Sequence, residues 1–209
     1  MKLNSKDLFL YAVTDRKWTG KKTLFEQVEE SIKGGVTFVQ LREKELEYKL
    51  FLDEAIKMKD LCKKYDIPFV VNDNVDIAIK SNADGVHIGQ EDMEASNVRE
   101  MIGKDKILGI SVQTLEQAIE AEKKGADYLG VGTIFPTNSK DNAVKVSIET
   151  LSLICKSVNI PVVAIGGINK TNINQLKNTG ISGVALISAI FANDDIEYAT
   201  RELKEILSK

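Results

Sequence analysis

Ile107-Leu108-Gly109-Ile110-Ser111 and Tyr128-Leu129-Gly130-Val131-Gly132 are short apolar runs flanking a stretch of different character. Between them Thr114 precedes Leu115, Ala118, Ile119 and Glu122, which recur at helical spacing and end at Lys124-Gly125. A threonine at the start caps the first free N–H groups of a helix. A basic last turn followed by glycine stops one. The flanking runs have strand length and little alternation, as in strands buried on both faces of a parallel sheet. Residues 107–132 therefore predict one strand–helix–strand unit.

Working outward, the unit repeats. Further strand-like runs are Leu8–Thr14, Val36–Leu41, Ile67–Asn72, Gly85–Ile88, Val162–Gly166 and Gly183–Ser188. The stretches between them carry helical stripes, such as Leu24/Val28/Ile32, Leu52/Ile56 and Leu203/Ile206/Leu207. Thr171 is a further N-cap candidate. No linker or low-complexity segment divides the chain. Eight β-α repeats in 209 residues predict an α/β fold, a (β/α)8 TIM barrel formed as one domain over 1–209. An open doubly wound sheet is the alternative arrangement. The most irregular stretch, Gly132 to Ser147, has the character of a functional lid.

Composition limits the partners. With 28 basic and 31 acidic residues, the chain has no general attraction for nucleic acid or an anionic membrane. An anion must be held by a local cluster. Two isolated cysteines, Cys62 and Cys155, make neither a disulfide framework nor a zinc site, and both read as core residues. Met1–Leu8 holds no apolar signal region, so a cytoplasmic location is expected. A homo-oligomer stays open.

In such barrels the chemistry lies at the C-terminal strand ends. There the second run leads into Gln40-Leu41-Arg42-Glu43-Lys44. Alternation points Gln40, Arg42 and Lys44 one way, as a clamp for a diphosphate; a solvated strand end is the bland alternative. Asp73 and Asp92 follow the third and fourth runs, and two carboxylates there suit Mg²⁺, although each could instead cap a helix. His87, the only histidine, sits mid-strand between Val86 and Ile88, where a structural hydrogen bond is the expected role. Ser111 ends its run as a possible donor to substrate or a turn residue. Thr137, Ser139 and Lys140 lie in the irregular stretch. Gly166-Gly167, followed by a helix N-terminus, and Ile187-Ser188 occupy the usual monophosphate position after strands seven and eight. No strand-end cysteine and no Ser-His pair is visible, so no activated nucleophile is expected.

These residues, with Leu10-Tyr11-Ala12-Val13-Thr14-Asp15, Val71-Asn72-Asp73, Gly85-Val86-His87-Ile88-Gly89-Gln90-Glu91-Asp92, Pro136-Thr137-Asn138-Ser139-Lys140 and Ile165-Gly166-Gly167-Ile168, resemble the thiamine-phosphate synthase family in order and spacing from about residue 10 to residue 190. The resemblance implies condensation of a hydroxymethylpyrimidine diphosphate with a thiazole monophosphate, giving thiamine phosphate and pyrophosphate. It implies that Gln40, Arg42, Lys44, Asn72 and Lys140 hold the pyrimidine diphosphate and that Ser111 contacts the same substrate. Thr137, Ser139, Gly167, Ile187 and Ser188 would hold the thiazole phosphate, and Leu41, Glu43 and Asn138 would also belong to the substrate-binding stretches. Asp73 and Asp92 would bind Mg²⁺, with Arg42, Lys44 and Lys140 as catalytic cations.

One departure stands out: the family often has Gly-Pro where this chain has Gly132-Thr133, which is expected to loosen the lid. The implied reaction is dissociative, the pyrimidine CH₂–O bond breaking before the thiazole nitrogen attacks. A thiazole tautomerase would need the monophosphate site but not the carboxylates or the Arg42/Lys44 clamp. A non-catalytic binder of thiamine phosphates would release no pyrophosphate.

Overall fold

A computed structural model of the chain describes residues 3–20, 22–90, 94–137 and 145–209. Among them, eight parallel strands close into a barrel in sequence order. They are β1 Leu10–Val13, β2 Phe38–Leu41, β3 Phe69–Asn72, β4 Gly85–Ile88, β5 Ile107–Val112, β6 Tyr128–Val131, β7 Val162–Ile165 and β8 Gly183–Leu186. The ring closes where Tyr11 of β1 pairs with Ala185 of β8. An open sheet is thereby excluded.

The helices α1 Leu24–Gly34, α2 Tyr48–Lys64, α3 Val75–Lys80, α4 Ala95–Ile102, α5 Leu115–Lys123 and α6 Ile148–Ser157 follow the first six strands in turn. After β8 come α7 Ser188–Phe191 and α8 Ile196–Leu207. Thr114 caps α5 as the sequence predicts, in a reciprocal box with Gln117. Two expectations are corrected here. β7 is followed by a single 3-10 turn, Ile173–Leu176, whose cap position is Asn172 rather than Thr171. In α2 the buried stripe is Phe51/Ala55/Met58/Cys62, one residue ahead of the predicted one, which leaves Ile56 exposed.

Alternation along the strands sorts the side chains into two layers. One set, including Leu10, Ala12, Val39, Leu41, Val71, Leu108 and Leu129, packs outward under the helices. Each buried valine or leucine among them contributes roughly 1.5–3 kcal/mol. The other set, including Tyr11, Phe38, Val70, Ile107, Tyr128 and Val163, fills the barrel. The lower ends of the strands are pinned by carboxylates: Asp84 accepts from Phe69 N–H and pairs with Lys59, and Asp127 accepts from Leu108 N–H and pairs with Arg99. No helix among the described residues is long and apolar enough to cross a membrane.

Candidate active site

The polar residues of the inward-facing set collect at the upper strand ends. Gln40 is buried on the inner side of β2, its amide donating to the Tyr11 hydroxyl at 2.5 Å. Leu41, one residue on, is fully buried in the outer layer, so its side chain faces the helices and not the mouth. Arg42 is held from two directions. Its N–H donates to Thr14 Oγ1 at 2.9 Å, and its guanidinium lies 3.8 Å from Asp15. Lys44 is exposed, with no ion pair among the described residues.

Glu43 is already engaged. Its carboxylate, 4% exposed, receives Arg16 Nε at 3.1 Å and Nη2 at 2.9 Å. Burial pushes this carboxyl above its ordinary range, against the downward pull of Arg16. Glu43 thus braces the β2 end rather than presenting oxygens to a ligand.

At the end of β3, alternation from buried Val70 puts Asn72 on the inner side. Asp73 has a left-handed backbone, φ 62°, and its N–H donates to His87 O at 2.8 Å. It is not the helix cap: Asn74 is, its side chain accepting from Ile77 N–H. Glu91, Asp92, Asn138, Ser139 and Lys140 lie outside the described residues.

Ser111 and His87, 24 residues apart in sequence, meet across β4 and β5 with Oγ 2.8 Å from Nε2. This corrects the expectation that no Ser-His pair exists; adjacent parallel strands bring together what the sequence separates. His87 Nδ1 lies 2.9 Å from the Tyr128 hydroxyl, so its structural hydrogen bonding is as expected. Gln90 donates to Ser111 O at 2.7 Å.

Across the mouth, a cavity of about 600 Å³ lies beside β7 and β8. Thr137, Gly167 and Ser188 line it, which brings three of the residues expected at the monophosphate together. Ile187 does not line it; its side chain packs on the cluster inside the barrel. Gly166 and Gly167 have φ 97° and 64°, and a Cβ on Gly167 would stand 2.4 Å from Pro136 O. The second glycine is thus required by the close approach of residues 135–136. The helix N-terminus expected directly after it is absent, since the 3-10 turn starts only at Ile173.

Lys17 and Trp18 also line this cavity, with Lys17 Nζ 5.4 Å from the indole centroid. Sequence reasoning passed them over. They arrive on a 3-10 turn, Arg16–Trp18, whose one signal is Asp15 as its cap. The described ends of the stretch from Gly132 to Ser147 are tied down: Ile134 N–H donates to Ile165 O, Phe135 N–H to Gly166 O and Val146 N–H to Thr133 O.

Comparison with known proteins places this arrangement. The family model described as thiamine monophosphate synthase matches residues 10–190. The chain belongs to that family. It is 53% identical to a thiamine-phosphate synthase of Clostridium tetani, over 94% of each chain. It is 47% identical to one of Methanobrevibacter smithii, over 99% of each. A solved thiamine phosphate pyrophosphorylase of Pyrococcus furiosus superposes with a TM-score of 0.89 at 42% identity, covering 98% of this chain and 97% of that one. The Gly132–Thr133 peptide is cis.

Proposed function

We propose that the chain is a thiamine-phosphate synthase, joining 4-amino-2-methyl-5-(diphosphooxymethyl)pyrimidine to thiazole phosphate with release of pyrophosphate. The observation that carries this is the division of the mouth. Gln40, Arg42, Asn72 and Asp73 stand at the ends of β2 and β3, and the cavity holding Thr137, Gly167 and Ser188 opens beside β7 and β8. Two anionic substrates could thus be held with their rings between them.

In the reaction, the bond between the pyrimidine methylene carbon and the diphosphate oxygen breaks, and the electron pair leaves with pyrophosphate. The thiazole nitrogen then bonds to that carbon. Such a reaction asks the protein for charge neutralisation and alignment rather than a covalent nucleophile. Neither thiol is placed for one: Cys62 is fully buried in α2 and Cys155 lies in α6. Arg42, its backbone tied to Thr14 and its guanidinium 3.8 Å from Asp15, would face the leaving group, and Lys44 and Lys140 would add charge. A closed lid would keep water from the electrophilic carbon.

Asp73 and Asp92 would hold Mg²⁺. Carboxylate oxygens suit this hard cation, which needs few protein ligands because water and substrate phosphate complete its shell. When bound, Mg²⁺ neutralises charge on the diphosphate.

The test is pyrophosphate release by the purified protein with both substrates and Mg²⁺, repeated without the thiazole phosphate and with EDTA. Release that requires both substrates and the metal, with thiamine phosphate formed, is expected. Release without the thiazole phosphate at an equal rate, or none under any condition, refutes the assignment.

A further inference from the structure

A line of four hydrogen bonds crosses the barrel beneath the mouth. Gln40 Nε2 donates to Tyr11 Oη at 2.5 Å, and the Tyr11 and Tyr128 hydroxyls lie 2.8 Å apart. Tyr128 Oη is 2.9 Å from His87 Nδ1, and His87 Nε2 is 2.8 Å from Ser111 Oγ. The line draws on five strands and joins the residues proposed for the two ends of the pyrimidine substrate. The fold has cleared space for it. A Cβ on Gly109 would stand 2.2 Å from Tyr128 Cζ and 2.5 Å from His87 Nδ1, and one on Gly130 would stand 3.1 Å from His87 Cε1.

Each hydroxyl has one hydrogen to give, and among the described residues the acceptor within reach of the Tyr11 hydrogen is Tyr128, which gives the line its direction. Tyr11 receives from the Gln40 amide, and its own hydrogen goes to Tyr128. The Tyr128 hydrogen then goes to Nδ1 of His87. Burial pushes both phenols above their ordinary range, so both stay neutral donors. With Nδ1 accepting, a neutral imidazole carries its hydrogen on Nε2 and donates to Ser111.

We propose that Gln40, Tyr11 and Tyr128 set the Nε2–H tautomer of His87, and that His87 thereby makes Ser111 a hydrogen-bond donor into the mouth. Ser111 is then not a nucleophile, because the imidazole beside it offers a hydrogen instead of a lone pair. It selects a substrate with an acceptor atom facing it; on the synthase reading, on which this part rests, that is a ring nitrogen of the aminopyrimidine. His87, Tyr11 and Tyr128 are positioning residues.

Because His87 is the only histidine, protein labelled with ¹⁵N-histidine gives one imidazole to read. In the substrate-free wild type, the expected result is a pyridine-type Nδ1 and a pyrrole-type Nε2. Tyr11→Phe is expected to keep this pattern, since Tyr128 can still donate. Tyr128→Phe is expected to lose it. It should also lower kcat about tenfold, the scale of one hydrogen bond, with the KM for thiazole phosphate unchanged. A pyridine-type Nε2 in the wild type, two pyrrole-type nitrogens, or a pattern unmoved by Tyr128→Phe overturns the proposal. The tautomer is read without substrate, so a wild type that releases no pyrophosphate sinks the synthase reading and leaves the nitrogen signals to decide this one.

Discussion

Arg16 grips Glu43 in a forked pair, Nε to one carboxylate oxygen at 3.1 Å and Nη2 to the other at 2.9 Å, while the same Nη2 reaches Glu54 of α2 at 2.6 Å. This ties the loop after β1 to the loop that carries Arg42 and Lys44. Removing Arg16 leaves a buried carboxylate without its strongest donors, at a cost of about 1–3 kcal/mol. Burial already holds the Glu43 carboxyl above its unfolded value. An acid raised in this way favours folding below its unfolded pKa and loses that contribution as pH rises through the folded one. Without Arg16 the rise grows. Arg16→Ala should therefore be more destabilised near pH 7 than near pH 4, as thermal unfolding at the two pH values would show. Equal losses at both would mean that Glu43 does not depend on Arg16.

Arg42 is fixed before any substrate arrives, and Lys44 is not. On the synthase reading, Arg42→Ala should lower kcat/KM about 10²-fold, the usual scale for one electrostatic stabiliser. Lys44→Ala should cost less, because an exposed lysine side chain must lose rotamer freedom when it engages the substrate. Steady-state kinetics on the two variants give the order, and a Lys44 defect larger than the Arg42 defect would reverse their roles.

Asp73 adopts its left-handed backbone without serving as the helix cap, which is Asn74. Asp73→Asn keeps the shape and tolerates the same φ. The variant should fold as the wild type does yet need a higher Mg²⁺ concentration for half-maximal turnover. An unchanged Mg²⁺ titration would take Asp73 out of the metal site.

The barrel was legible because the buried strands are mostly apolar runs, and such runs survive without knowledge of their neighbours. The runs overshoot the observed strands by one or two residues, as at Gly166 and Ser188, where apolar or small residues continue into the mouth. Parity along a strand correctly turned Gln40 inward, but it also turns Leu41 out. What stayed invisible depends on lateral contact. Ser111 and His87 meet through the β4–β5 register, which pairs His87 with Gly109. Arg16 and Glu43 meet across two loops. Nothing in a single sequence marks either pair.

The two thiols should be inert near neutral pH. Burial pushes Cys62 up to about 12 and Cys155 up to about 11, so both remain protonated. A raised thiol favours folding below its unfolded pKa, and that contribution fades only as pH climbs toward these values. Iodoacetamide near pH 8 should label the folded protein far more slowly than protein unfolded in urea. Labelling at the unfolded rate would show that α2 and α6 open readily.

Gly109 joins sequence, packing and chemistry at one position. It faces the barrel on β5, and a methyl group there would overlap both the Tyr128 ring and the His87 imidazole. Its backbone needs no left-handed angle, so any cost of Gly109→Ala is steric. Overpacking of this kind costs about 1–3 kcal/mol, and relief would require the imidazole or the phenol to move. Gly130→Ala meets His87 Cε1 at a milder 3.1 Å. Gly109→Ala should therefore lose more thermal stability than Gly130→Ala and shift the single imidazole signal further. If Gly130→Ala were the more damaging of the two, the imidazole would not lie where the 2.5 Å and 3.1 Å approaches place it.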